Sequence, residues 1–107
     1  MFIQEILMTT DLAHPNTSPP LFNLGQVVAT PGALTKMNAL NIQPTDLLMR
    51  HVTGDWSNMG EEDCLSNQEA VQQGFRVFSA FVFNEQKLWV ITEADRSSTT
   101  ILLPEEY

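Results

Sequence analysis

A chain of 107 residues is long enough to bury a core without disulfides or a metal, so we expect a single domain. Apolar residues make up 43% and charged residues 17% of the chain, which is typical of a globular protein and excludes a disordered one. Thirteen acidic and five basic residues give a net charge of −8, which argues against direct binding to nucleic acid or to an anionic membrane. Another protein is the expected partner, either a basic one or one that normally binds nucleic acid.

Cysteine usage and the first residues bear on the compartment in which the protein works. The single cysteine, Cys64, leaves no intrachain disulfide and is typical of a reducing compartment. The opening residues contain Glu5 and lack the basic start of a secretory leader, and no apolar run approaches the length of a membrane span. We therefore expect a cytoplasmic protein.

The chain is predicted to divide into an arm and a domain. Residues 1–20 are expected to be extended and free to move, because three prolines within residues 14–20 discourage a helix or a central strand. Residues 21–107 are predicted to form one compact domain. Its first element is a short strand that ends at Val27–Ala29.

Two helices are predicted to follow this strand. The first begins at Thr30-Pro31, with threonine as the N-cap and proline in the first turn, and it stops near Asn41. The second begins at Pro44 and ends at Gly54, because glycine readily adopts the left-handed conformation that closes a helix.

The third predicted helix is acidic at its start. It begins at the capping box Asn58-x-x-Glu61 and ends at Gly74. Glu61, Glu62 and Asp63 lie in its first turn, where the positive end of the helix dipole favours acids. These three residues are either a solvated helix start or part of an acidic surface that resembles the phosphates of a nucleic-acid duplex. The other acids of such a surface would be Asp46, Asp55, Glu69, Glu105 and Glu106.

Beyond the third helix, the apolar period changes to that of strands. Residues 75–83 are apolar on both faces, which predicts a central strand or one that is covered on both sides. A short connection over 84–86 leads to a strand over 87–93, and Thr99–Leu103 forms the last strand. The prediction is an α+β fold: three short helices packed on a three- to four-stranded, mainly antiparallel sheet with a C-terminal β-meander.

The first polar cluster lies at the end of the second predicted helix. His51 and Asp55 could form an oriented His–carboxylate pair, the base half of a catalytic site. Alternatively, His51 stabilises the helix end and Trp56 packs in the core. The second interpretation is favoured, because no nucleophile with a recognisable flanking pattern accompanies the histidine.

The second polar cluster lies between the last two strands. Glu93, Asp95 and Arg96 could form a ligand site, in which Arg96 suits a carboxylate or phosphate. The neighbouring hydroxyl donors are Thr92, Ser97, Ser98, Thr99 and Thr100. The alternative is that Arg96 pairs with Glu93 or Asp95 and holds the turn. If the two clusters meet, the candidate binding residues are His51, Asp55, Trp56, Thr92, Glu93, Asp95 and Arg96.

Cofactor and metal motifs are not evident in the sequence. Asp55, Asp63, Glu93 and Asp95 could ligate a hard cation, but no loop has the spacing of an EF-hand. The dinucleotide fingerprint and the Walker spacing are absent as well. We therefore predict no metal and no cofactor.

Three segments carry a resemblance to a known family. Leu24–Leu34, His51–Trp56 and Ile91–Tyr107 resemble small bacterial proteins from plasmids and other mobile elements, loosely labelled plasmid-related or type I restriction-modification-associated. The resemblance covers most of residues 22–107, and its most specific part is the ending ITEADRSSTTILLPEEY. It implies an accessory function for a mobile element rather than a reaction.

These observations lead to hypotheses from different functional classes. The first is a small acidic cytoplasmic accessory protein of mobile-element type that acts by protein–protein interaction, with host defence or restriction machinery as its target. The alternative is a small enzyme or ligand-binding module with a polar pocket formed by the His51–Trp56 and Thr92–Arg96 turns. A homo-oligomer assembled through residues 1–20 is the third.

Overall fold

The computed structural model describes residues 4–5 and 19–107. In chain order its elements are β1 (Gln4–Glu5), β2 (Gln26–Ala29), α1 (Pro31–Ala39), α2 (Pro44–Thr53), α3 (Glu61–Gln73), β3 (Val77–Phe83), β4 (Gln86–Thr92), β5 (Ser98–Leu102) and a 3₁₀ turn at Pro104–Glu106. The predicted α+β class is confirmed. No helix in the described part of the chain has the length and apolar character that crossing a membrane requires. Most of the predicted arm lies outside the described residues.

The sheet combines the predicted meander with one parallel pair of strands. Its strand order is β1-β2-β5-β4-β3. β3, β4 and β5 pair antiparallel with one another, which confirms the meander. β2 pairs with β5 in parallel, and β1 pairs antiparallel with β2. The three helices therefore carry the chain from one side of the sheet to β3 at the opposite edge.

The first two helices begin as the sequence predicted. The hydroxyl oxygen of Thr30 accepts a hydrogen bond from the backbone N–H of Ala33 at 3.1 Å and caps α1. Pro44 occupies the first turn of α2. Gly54 ends α2 with a φ of 84°, a conformation that costs glycine little.

The predicted capping box of α3 is wrong. Gly60, not Asn58, is the N-cap of α3. The side-chain oxygen of Asn58 instead accepts a hydrogen bond from the backbone N–H of Val82 at 3.1 Å. Since this oxygen is bonded to β3, it does not cap the helix.

The helices cover one side of the sheet and bury the main core against it. Alternate residues of β3, β4 and β5 face this side, and each large side chain that is fully buried there contributes roughly 1.5–3 kcal/mol. The main core consists of Val27, Ala29, Ala33, Met37, Leu47, Leu48, Phe81, Leu88, Val90, Ile101 and Leu103. A smaller cluster next to α3 contains Trp56, Ala70 and Val77.

Residues 75–83 are predicted to form a strand that is either central or covered on both faces, and the first of these alternatives is wrong. β3 lies at the edge of the sheet, and Phe75 precedes the strand and is exposed. On the side away from the helices, the ring of Phe78 packs edge-to-face on Trp89 with centroids 4.9 Å apart. This cross-strand aromatic pair explains why an edge strand carries apolar residues on both faces.

The end of the chain is fixed to the start of α1. Oε1 of Glu106 accepts hydrogen bonds from the hydroxyl of Thr30 at 2.5 Å and from the backbone N–H of Leu103 at 2.9 Å. A Cβ atom at Gly32 would lie 2.5 Å from Oε2 of the same carboxylate, so glycine leaves room for this contact. The carboxylate thus lies where the helix dipole favours a negative charge.

Replacing Glu106 with alanine should lower the free energy of unfolding by about 1–2 kcal/mol, because two donors lose a charged acceptor. Urea unfolding measures the change. Glu105→Ala is the control, because Glu105 is exposed, and it should stay within about 0.5 kcal/mol of wild type. Equal losses in the two variants would contradict the proposed role of Glu106.

Candidate functional site

His51 lies in a buried hydrogen-bond network. It belongs to the last turn of α2 and is 0% exposed. Its Nδ1 is 2.5 Å from Oγ of Ser79, and its Nε2 is 2.8 Å from Oγ1 of Thr92. Oγ1 of Thr92 is 2.7 Å from Oγ1 of Thr99, which in turn donates to the carbonyl of Leu24 at 2.7 Å. The network joins α2 to β3, β4, β5 and the segment before β2.

The direction of this network assigns the tautomer of His51. The carbonyl of Leu24 can only accept, so Thr99 donates to it and accepts from Thr92. Because the hydroxyl proton of Thr92 is used in that bond, Nε2 of His51 carries the ring proton and donates to Thr92. Nδ1 then accepts from the hydroxyl of Ser79. All four side chains are satisfied when the imidazole is neutral.

The environment of His51 disfavours its charged form. Burial lowers the pKa of His51 from 6.5 to about 3, and the positive charge of Arg96 contributes to the decrease. The ring of Phe22 packs edge-on against the imidazole with centroids 5.1 Å apart. A general base must contact its substrate, and here the imidazole contacts only the core of the protein.

The other two candidates from the first cluster lie apart from the imidazole network. Oδ2 of Asp55 forms an ion pair with Nε of Arg50 at 3.1 Å. Trp56 is buried in the cluster next to α3. Its Nε1 is the only buried side-chain nitrogen or oxygen without a hydrogen-bond partner in the described part of the chain.

Arg96 holds three chain segments together through their carbonyl groups. Its Nη1 donates to the carbonyls of Phe75 at 2.6 Å and Glu93 at 3.1 Å. Its Nη2 donates to the carbonyl of Ala70 in the last turn of α3 at 3.1 Å, at the negative end of the helix dipole. The guanidinium therefore joins α3, the start of β3 and the β4–β5 turn, where the sequence suggested a carboxylate partner.

The two acids of the second cluster shape the surface of this turn. Glu93 forms an ion pair with Arg76 at 3.5 Å, and both side chains are about half exposed. Asp95 is exposed, and hydrogen bonds from Ser97 lower its pKa. The buried hydrogen bond between His51 and Thr92 joins the two predicted clusters.

Sequence reasoning missed Ser79, and it placed Thr99 only among the hydroxyl donors near Arg96. Both are fully buried and lie on the helix-facing side of their strands, where the neighbouring positions are mostly apolar. A hydroxyl in the apolar stripe of a strand predicts a buried polar partner, because an unpaired hydroxyl would be costly there. In the structure, the partner of Ser79 is His51.

The side of the sheet away from the helices carries a row of aromatic rings. Phe78 and Trp89 pack edge-to-face, and the Trp89 and Tyr107 ring centroids are 5.7 Å apart. Arg76 donates to the hydroxyl of Tyr107 at 2.8 Å. We call this side of the sheet the open face. Val82 and Lys87 pair across β3 and β4 on the same face, and Val82 is 40% and Tyr107 70% exposed.

The predicted acidic surface lies on a different part of the molecule. Glu61, Glu62 and Asp63 are exposed in the first turn of α3. Neither of the two ion pairs in the described residues involves them. Leu65 follows two residues later and is 56% exposed.

Metal ligation and similarity to known proteins complete the description of the site. Within the part of the chain that the structure describes, no group of three or more His, Cys, Asp or Glu side chains is placed to hold a metal ion. No family model, curated protein or solved structure matches this chain.

Proposed function

We propose that this protein is a non-enzymatic accessory protein that acts by binding another protein through its open face. The observation that supports the proposal is the row formed by Phe78, Trp89 and Tyr107, with Tyr107 70% exposed. Aromatic residues and arginine are enriched at the energetic centres of protein interfaces. Val82 and Tyr107 are the exposed large apolar residues of this face, and exposed apolar area is typical of such surfaces.

Charge favours one kind of partner. Two of the five basic residues of the chain, Arg76 and Lys87, lie on the open face near its opposite ends. Six residues of an extended strand separate the levels of Arg76 and Val82, or about 20 Å. A partner with an apolar strip and an acid opposite Lys87 complements this surface, because Arg76 is already paired with Glu93.

The biological setting of the proposal rests on the family resemblance. It suggests a cytoplasmic accessory role for a mobile element, with host defence or restriction machinery as the target. The net charge of −8 supports a protein partner over nucleic acid.

Val82→Glu should abolish partner binding, because it places a charge on the exposed apolar end of the strip and pairs with Lys87, the basic residue opposite it. Tagged protein is purified from cells that carry the gene, and the captured partner is then titrated by calorimetry. Leu65→Glu is the matched control, because Leu65 is equally apolar and more exposed but lies on α3. Tyr107→Ala should weaken binding by about 1–3 kcal/mol.

The same experiment distinguishes the open face from the acidic surface. Replacing Glu61, Glu62 and Asp63 with lysine should leave binding at the open face intact. If this charge reversal abolishes binding and Val82→Glu does not, the open face is not the binding surface. If no variant of the open face differs from wild type, the proposal is wrong.

A further inference from the structure

We propose that the pocket between α1, the β3–β4 turn and the 3₁₀ turn binds a small zwitterion, namely a neutral α-amino acid with a short apolar side chain. The pocket has a volume of about 280 Å³. One water molecule occupies about 30 Å³ of the liquid, so this space suits a molecule of fewer than about ten heavy atoms. Four of the side chains that line the pocket are charged: Lys36, Lys87, Glu85 and Glu105.

These four charges line the pocket without neutralising one another. Within residues 4–5 and 19–107, neither ion pair includes any of them. The two ammonium groups can therefore hold a carboxylate, and the two carboxylates can hold an ammonium. A ligand that carries both groups satisfies all four side chains. Such a ligand is neutral overall, so the net charge of −8 does not repel it as it would repel a simple anion.

The backbone of Glu85 supports a role for its carboxylate in ligand binding. Asn84 and Glu85 form the two-residue loop between β3 and β4, and their φ angles are 49° and 67°. Loops of this kind favour Asn-Gly, because a side chain on the second residue strains its left-handed backbone. The carboxylate of Glu85 is exposed and belongs to neither of the ion pairs in the described residues. A strained residue whose charge the fold leaves unpaired points to a ligand.

Gln86 and two apolar residues complete the pocket. Nζ of Lys36 donates to Oε1 of Gln86 at 2.5 Å. This bond holds the ammonium group at the pocket and leaves two of its three N–H donors for a ligand. Leu103 is buried and Pro104 is half-buried, and both line the pocket. They offer apolar surface on which a short aliphatic side chain can pack.

The test is an NMR titration of isotope-labelled wild-type protein at pH 7 with three matched compounds. L-Valine carries both charged groups, whereas isovalerate lacks the ammonium and isobutylamine lacks the carboxylate. L-Valine should cause saturable shifts of the amides of Gln86, Lys87 and Glu105. Each of the other two compounds should bind at least about tenfold more weakly, because it forms only half of the ion pairs. Equal affinity for L-valine and isovalerate, or no saturable shift with L-valine, would overturn the proposal.

Glu85→Gly separates ligand binding from the stability of the fold. Glycine relieves the left-handed strain, so the variant should unfold at a higher urea concentration than wild type. Its affinity for L-valine should nevertheless fall at least about threefold, because one ion pair is lost. Lys87→Gln should weaken binding to a similar degree.

Glu62→Gln is the control for these variants, because Glu62 is an exposed acid on α3 outside the pocket. It should bind L-valine as wild type does. If Glu85→Gly and Lys87→Gln also keep the wild-type affinity, the charges of the pocket do not hold the ligand and the proposal is wrong.

Discussion

Lowering the pH from 7 to 5 should reduce the free energy of unfolding by about 2 kcal/mol, because His51 takes up a proton only when the protein unfolds. Its pKa is about 3 in the folded protein and 6.5 without the effects of the fold. Between these values the unfolded chain binds more protons, so stability falls as the pH decreases. The change is about 1.4 kcal/mol per pH unit and levels off below the folded pKa.

Urea unfolding at pH 7, 6 and 5 measures this slope while most carboxylates remain ionised. His51→Gln is the matched variant, since its amide nitrogen can donate to Thr92 but does not titrate. It should be less stable than wild type at pH 7 and should lose the contribution of His51 to the slope. His14 is present in both proteins and cancels in the comparison. If the variant keeps the wild-type slope, another group causes the pH dependence.

Arg96→Ala should lower the free energy of unfolding by about 3 kcal/mol, because the carbonyls of Ala70, Phe75 and Glu93 lose a charged donor at once. Arg96 is partly exposed, so water replaces some of these bonds and the loss stays below the sum of three. Chemical unfolding at pH 7 measures the effect.

Arg96→Lys separates the shape of the side chain from its charge. Lysine keeps the positive charge but lacks the planar fork, so it should recover only part of the loss. Lys87→Ala is the control for removing a positive charge, because Lys87 is exposed on β4, and it should change stability by less than about 0.5 kcal/mol. Similar losses in Arg96→Ala and Lys87→Ala would rule out the bracing role of Arg96.

The local elements of the fold were predictable because their signals are local. Thr30-Pro31 and Gly54 mark helix ends by their own backbone preferences, and the change of apolar period marks the meander. The position of β3 at the edge and the parallel pairing of β2 with β5 were not predictable. Both depend on contacts between distant residues, which local patterns do not encode. The capping box failed for the same reason, because Val82 binds the oxygen that Asn58 would have used.

The candidate site was predictable in its members more than in its arrangement. His51 and Thr92 were both singled out, and they contact each other across 41 positions of sequence. The partners of Arg96 could not be predicted, because they are backbone carbonyls and every residue type carries one. Hydrogen bonds from one arginine to three backbone carbonyls leave no pattern of residue types in the sequence.

The parallel pair of β2 and β5 has a consequence for synthesis of the protein. β5 comes last along the chain among the strands, yet it lies between β4 and β2. During translation, the β3–β4 hairpin emerges before β5, the strand that will lie beside it. Until β5 emerges, β2 has no strand to pair with on the side that β5 will occupy. The sheet therefore closes only after Leu102 has left the ribosome, so the nascent polypeptide is most exposed to proteases and chaperones just before that moment.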